Sequence, residues 1–74
     1  MDSEYVQRIA TEWIEIRGAY GDAWEELWRL SEEDPKTGFR IIEEIHHRIS
    51  DAEPIDYELM GILAAGPLED LLAA

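Results

Sequence analysis

Near the start of this chain the apolar side chains Tyr5, Ile9, Trp13, Ile16 and Tyr20 step by four, four, three and four. That rhythm lines up one stripe of a helix and would scatter across both faces of a strand. It predicts a first helix over about residues 3 to 17. Gly18 and Gly21 then bracket a break, because glycine is the usual residue just past a helix end. Asp22 and Glu25 have the spacing of a capping box, and Trp24, Leu27, Trp28 and Leu30 supply the apolar face of a second helix that must stop before Pro35. Asp34-Pro35 is a start signal: the aspartate caps free backbone donors, and proline gives up a donor that had no partner. The third helix runs to about Ile49 on a stripe of Phe39, Ile42, Ile45 and Ile49, with Ile41 at its margin. Pro54 repeats the device and opens a fourth helix carrying Ile55, Leu59, Ile62 and Leu63. Gly66-Pro67 is expected to stop that helix and start a fifth, with Leu68, Leu71 and Leu72 facing inward. No segment alternates as a strand does, so the expectation is an all-α fold. Residues 1–74 would form a single compact domain of about five short helices.

Such a chain has little energy to spare. Ordering each residue costs roughly 1 to 2 kcal/mol, against about 25 cal/mol for each Å² of apolar area buried. With no cysteine there is no disulfide framework, and packing alone must hold the fold, as in proteins of a reducing compartment. Trp13, Trp24 and Trp28 are the heaviest side chains and are expected in the core. The small residues Gly61, Ala64, Ala65 and Gly66 would let a neighbour approach closely. The longest nearly uncharged stretch, residues 59–68, is about half of what a bilayer span needs, and Met1-Asp2-Ser3-Glu4 lacks the basic start of a secretory leader. A cytoplasmic location in a bacterial host and no membrane partner are therefore expected. No stripe is wide enough to require a second copy, which argues for a monomer.

Little in the chain points to catalysis. Its three serines, Ser3, Ser31 and Ser50, all fall at expected helix boundaries, where capping explains them. A domain this size has little room for the deep apolar pocket that raises a carboxyl's pKa for acid-base work, so no enzyme activity is expected. Glu43-Glu44-Ile45-His46-His47 holds two overlapping Glu-x-x-His spacings, the arrangement that carries metals in helical bundles. Adjacent histidines, however, point about 100° apart on a helix, and a tetrahedral site would need further ligands from elsewhere. The stretch from Asp51 to Asp56 lacks the sixth-position glycine and distal glutamate of a calcium loop. Neither metal nor cofactor is expected.

Charge is the strongest functional signal. Eighteen acidic side chains stand against six basic ones, a formal charge of −12, where a small domain needs a magnitude of only about 2 to 8 for solubility. The cations Arg8, Arg17, Arg29, Lys36, Arg40 and Arg48 are spread singly, so direct binding to a phosphate backbone is excluded. Glu4, Glu12, Glu25, Glu26, Glu43 and Glu44 each have an arginine three or four residues away, which should cancel part of their field. After Arg48 no cation follows, and Asp51, Glu53, Asp56 and Glu58 are expected to be exposed and uncompensated. They form the first candidate partner-binding group. Glu32, Glu33 and Asp34, flanked by Arg29 and Lys36, form the second.

Residues 63–72 read LAAGPLEDLL. The string resembles the signature of a large family of uncharacterised bacterial proteins in which an apolar helix runs into a Gly-Pro-Leu-Glu-Asp corner. With a tryptophan-bearing helix upstream, an acidic dipeptide before Pro35 and an isoleucine-rich helix, the likeness extends over residues 24–74. It departs in being much more acidic and in ending where relatives typically continue, and it implies a fold without an activity. As a whole, the small, acidic, cysteine-free helical chain is similar to phage-encoded anti-CRISPR proteins, several of which imitate DNA. That likeness implies an inhibitor of a type I CRISPR surveillance complex such as I-C, with a basic Cas subunit as partner. The arithmetic is compatible. A chain of this length is on the order of 30 Å across, a span holding roughly 17 phosphates of B-DNA. The alternative is an acidic adaptor or immunity-type protein that neutralises one basic partner without copying DNA.

Overall fold

A computed structural model describes residues 3–73. Helix α1 spans Ser3–Glu15, α2 spans Asp22–Glu33, α3 spans Pro35–Asp51 and α4 spans Tyr57–Leu63. A π-helical turn, Ala64–Leu68, carries α4 without a break into α5, Glu69–Ala73. The fold is all-α, with no strand among the described residues, and measures 34 × 25 × 19 Å. No helix among them is long and apolar enough to cross a membrane.

The expected fifth helix is therefore a continuation of the fourth, and the described residues form four helical runs instead of five. An α-helix cannot keep its ladder past a proline, whose ring meets the carbonyl four residues back and whose nitrogen has no hydrogen to donate. Widening one turn to π geometry relieves both problems around Pro67 without a chain reversal. Gly66 accordingly does not adopt the left-handed conformation usual for a glycine that ends a helix. The fourth run also starts later than Pro54, which follows a cis peptide from Glu53. Asp56 is the real cap, its carboxylate accepting the Leu59 N–H at 3.0 Å. At α3 the expected device is in place: Asp34 accepts the Thr37 N–H at 3.3 Å and the Thr37 hydroxyl at 2.6 Å, and Pro35 occupies the first turn. At α2 the cap is Gly21, with no side-chain hydrogen bond, and Asp22 and Glu25 serve the first turn by charge alone.

The end of α1 closes the fold. Gly18 N–H donates to the Trp13 carbonyl and Arg17 N–H to that of Ile14, both at 3.1 Å, which is the Schellman pattern. Arg17 takes the left-handed position at φ 53°, and Gly18 follows at φ 72°. A Cβ on Gly18 would lie 2.6 Å from Ile62 Cγ2 and 2.7 Å from Trp13 Cζ2. The turn thus needs glycine twice over, for its backbone angle and for the space between α1 and α4.

Around this turn α1 packs chiefly on α3, with α2 across both. The core holds Val6, Ile9 and Trp13 from α1, Leu27 and Leu30 from α2, Ile41, Ile42, Ile45 and Ile49 from α3, and Leu59 and Leu63 from α4. Ile41 sits at its centre instead of its margin, and Phe39 is outside it, 44 % exposed. Of the three tryptophans only Trp13 is buried, and its indole N–H has no hydrogen-bond partner among the described residues. Trp24 and Trp28 are exposed because α2 carries two stripes. Ala23, Leu27 and Leu30 point inward, and Trp24 and Trp28 occupy the next face round. The small residues Gly61 and Gly66 meet nothing within 4 Å of an added Cβ, so close approach does not explain them.

Trp13→Ala should cost about 3 to 5 kcal/mol, enough to unfold a domain of this size, whereas Trp24→Ala should leave the thermal transition close to that of the parent. Gly18→Ala should destabilise by about 2 to 4 kcal/mol through φ strain and overpacking together. Gly61→Ala, in the exposed interior of α4, should stabilise by about 0.5 to 1 kcal/mol. Urea unfolding of the four variants checks all these values.

Candidate functional site

Packing brings cations to carboxylates that are remote in sequence. Held at the left-handed end of α1, Arg17 donates to Asp56 Oδ2 at 2.7 Å and reaches Glu58 at 3.7 Å. His47 Nε2 lies 3.1 Å from Asp51 on the outside of α3. The first candidate group is thus not the uncompensated cluster expected from sequence: Arg17 meets Asp56 and Glu58, His47 contacts Asp51, and among the described residues Glu53 is in no ion pair. Asp51, Glu53 and Glu58 remain exposed, whereas Asp56 is half-buried between the α4 backbone and Arg17. The second group divides in the same way. Glu32 and Glu33 face solvent, Glu33 within 3.4 Å of Arg29, and Asp34 is committed to the α3 cap.

Local pairing by sequence spacing holds for Glu12 with Arg8 at 3.6 Å, Glu26 with Arg29, and Glu44 with Arg48 at 2.8 Å. It does not hold for Glu43, which Arg40 does not reach, nor for Glu25, which accepts the Tyr20 hydroxyl instead. Arg48 does more than neutralise Glu44: it donates to Thr11 Oγ1 at 2.7 Å and to the Gln7 side chain, fastening α3 to α1. Arg29 lies between Glu26 and Glu33, while Tyr5 donates its hydroxyl to Glu26. Among the described residues, Glu15, Glu32, Glu43, Glu53 and Glu69 stand in no ion pair.

Two concave surfaces accompany this charge. A groove of about 900 Å³ runs between α1, α3 and the α4 run, lined by Val6, Phe39, Ile42, Met60 and Leu68 with His46 at its edge. Among the described residues no three His, Asp or Glu side chains gather to hold a metal ion there or elsewhere. The second surface lies on the outer face of α2, where Tyr20, Trp24 and Trp28 line a shallow cleft with Glu25 and Arg29. The Tyr20 and Trp24 rings are 5.3 Å apart and tilted by 49°. Trp24 and Trp28 border a narrow crevice against Pro67 and Asp70. Expecting all three indoles in the core hid this surface. The signal for it was present in the spacing, since Tyr20, Trp24 and Trp28 repeat every four residues on a line of their own.

Several of these contacts shift titrations. The Arg17 hydrogen bond, then the Leu59 N–H, holds the Asp56 carboxyl below its ordinary range. Hydrogen bonds from Tyr5, Thr37 and Arg48 do the same for Glu26, Asp34 and Glu44 respectively. Folding favours the ionised form of each, so the stability they contribute is present above the usual carboxylate range and is lost as pH falls through their lowered values. Burial, reinforced by the bond to Glu26, pushes the Tyr5 phenol from 10.0 up to about 12. Its contribution is complete below the unfolded value and is lost as pH rises through the folded one. Urea midpoints should therefore fall between about pH 7 and about pH 3. That drop should be smaller in Asp56→Asn, which no longer has the titrating group. An equal drop in both proteins would show that the Arg17–Asp56 contact has no part in acid stability.

No family model matches the chain, and neither a curated protein nor a solved structure does so.

Proposed function

We propose that this protein is an acidic inhibitor that occupies the nucleic-acid-binding surface of a basic partner, presenting carboxylates where phosphates would lie. The observation that carries the reading is the charge: −12 on a body 34 Å long. B-DNA over that length carries about 20 phosphate charges, so the densities are comparable. Additional support comes from the exposed carboxylates without a cation, which lie on several elements and give the molecule a broad acidic surface. Asp51, Glu53, Glu58, Glu32 and Glu33 are the members of the two candidate groups available to a partner. Asp34 and Asp56 serve as helix caps. The resemblance to anti-CRISPR proteins implies, as the proposed partner, a subunit of a type I CRISPR surveillance complex, such as that of subtype I-C.

A second reading, an acidic adaptor or immunity-type protein for one basic protein, uses the same charge without the competition. Capture of the partner from a bacterial lysate, followed by titration with duplex DNA, separates the two. The mimic is displaced by DNA, whereas an adaptor bound elsewhere is not. Affinity should fall steeply between 0.1 M and 1 M salt, over which the Debye length shortens from about 10 Å to about 3 Å. The triple change Asp51→Asn, Glu53→Gln, Glu58→Gln should weaken capture while leaving the helical dichroism unchanged. Affinity flat across that salt range would argue for an apolar interface and against the reading.

A further inference from the structure

We infer that the outer face of α2 is a docking site for an arginine-bearing segment of a basic partner, with Trp24 and Trp28 as the platform on which a guanidinium stacks. The inference rests on the acidic-inhibitor reading and deepens it, by naming the surface and the side chain it receives.

The face is built for contact more than for stability. Tyr20 is 73 % exposed, Trp28 50 % and Trp24 36 %. Three large aromatic rings in one patch are costly for so small a chain to leave in water, and tryptophan and tyrosine are the residues that most often anchor interfaces. The rings are held in place. Tyr20 packs against Trp24 and donates its hydroxyl to Glu25, and the indoles rest beside Pro67 and Asp70.

Charge complementarity selects the occupant. Glu25 lines the cleft and accepts the Tyr20 hydroxyl, and Asp70 lines the crevice. The one cation in the cleft, Arg29, is already engaged by Glu26 and Glu33. An aromatic face rimmed by carboxylates attracts a cation and repels an anion, and an indole face is the strongest of the side-chain π surfaces for a cation. Among the described residues the chain places a cation over a ring only where Arg8 stands 5.5 Å from the Tyr5 centroid, so both indole faces are without one. Guanidinium suits the site better than ammonium, because its plane stacks on a ring while its edge donates to Glu25 or Asp70.

The test uses the full chain and a hexa-arginine peptide at about 50 mM salt, with binding read by calorimetry. Binding to the parent, tighter than that of hexa-lysine, is expected. Trp24→Leu with Trp28→Leu keeps apolar bulk without the indole face and should weaken the arginine peptide by about tenfold. Trp24→Phe with Trp28→Phe should recover part of the loss. Far-UV dichroism of each variant confirms the fold. Unchanged affinity in the leucine variant overturns the inference while leaving the acidic reading standing, since the peptide is then held by carboxylates elsewhere. Failure of the parent to bind the peptide overturns the inference as well, and the competition with DNA then judges the broader reading separately. Self-association that the leucine substitutions abolish and the peptide does not disturb would assign the face to a second copy and likewise overturn it.

Discussion

Burial of the Trp13 ring beneath Gly18 is the contact on which the rest of the structure depends. The indole belongs to the core cluster shared by α1, α2, α3 and α4, and the Schellman turn at Arg17 and Gly18 leaves no room for a Cβ beside the ring and Ile62. The same turn throws the Arg17 side chain onto Asp56 and Glu58, so one reversal of the backbone sets both the apolar closure and the ion pair that anchors the start of α4. A domain of this size has room for few large rings in its centre. Once Trp13 and the isoleucines of α3 occupy it, Tyr20, Trp24 and Trp28 lie outside.

How much of this was legible in the sequence varied with the range of the interaction involved. The Asp34-Pro35 start of α3 could be read because every participant lies within four residues. The helical rhythm of α1 was legible for the same reason. On α2 the rhythm was ambiguous: Leu27 and Leu30 fit a stripe with Ala23 as well as one with Trp24, and side-chain size suggested the wrong one. Ala23 holds the inward position, 1 % exposed, a property of the packed structure and not of the segment. Gly66-Pro67 misled in another way, since the pair reads as stop and start wherever the helix has only α geometry available, and one π turn removes the conflict.

The candidate site shows the same division. Pairs at three and four residues were visible for Glu12, Glu26 and Glu44. The pairing of Arg17 with Asp56, 39 positions apart, was not, and it converts Asp56, one of the four residues of the expected free patch, into a structural joint. What remains free is distributed: Glu53 at the α3–α4 link, Glu32 at the end of α2, Glu43 on α3. A surface of this kind steers a basic partner at long range but gives little to fix its orientation. In the proposed docking site the aromatic cleft would supply that second requirement, with Glu25 and Asp70 at its rim.

Collisional quenching of tryptophan emission by ions of opposite charge tests the central claim directly, because it reports on indole exposure and on the sign of the surrounding field together. At low salt, caesium should quench the emission of Trp24 and Trp28 strongly and iodide only weakly, the buried Trp13 should escape both, and the contrast should shrink as salt screens the rim. Emission shielded from both ions would mean that the indoles lie in the core, and equal quenching by the two would mean that no acidic field surrounds them. Either result contradicts the account.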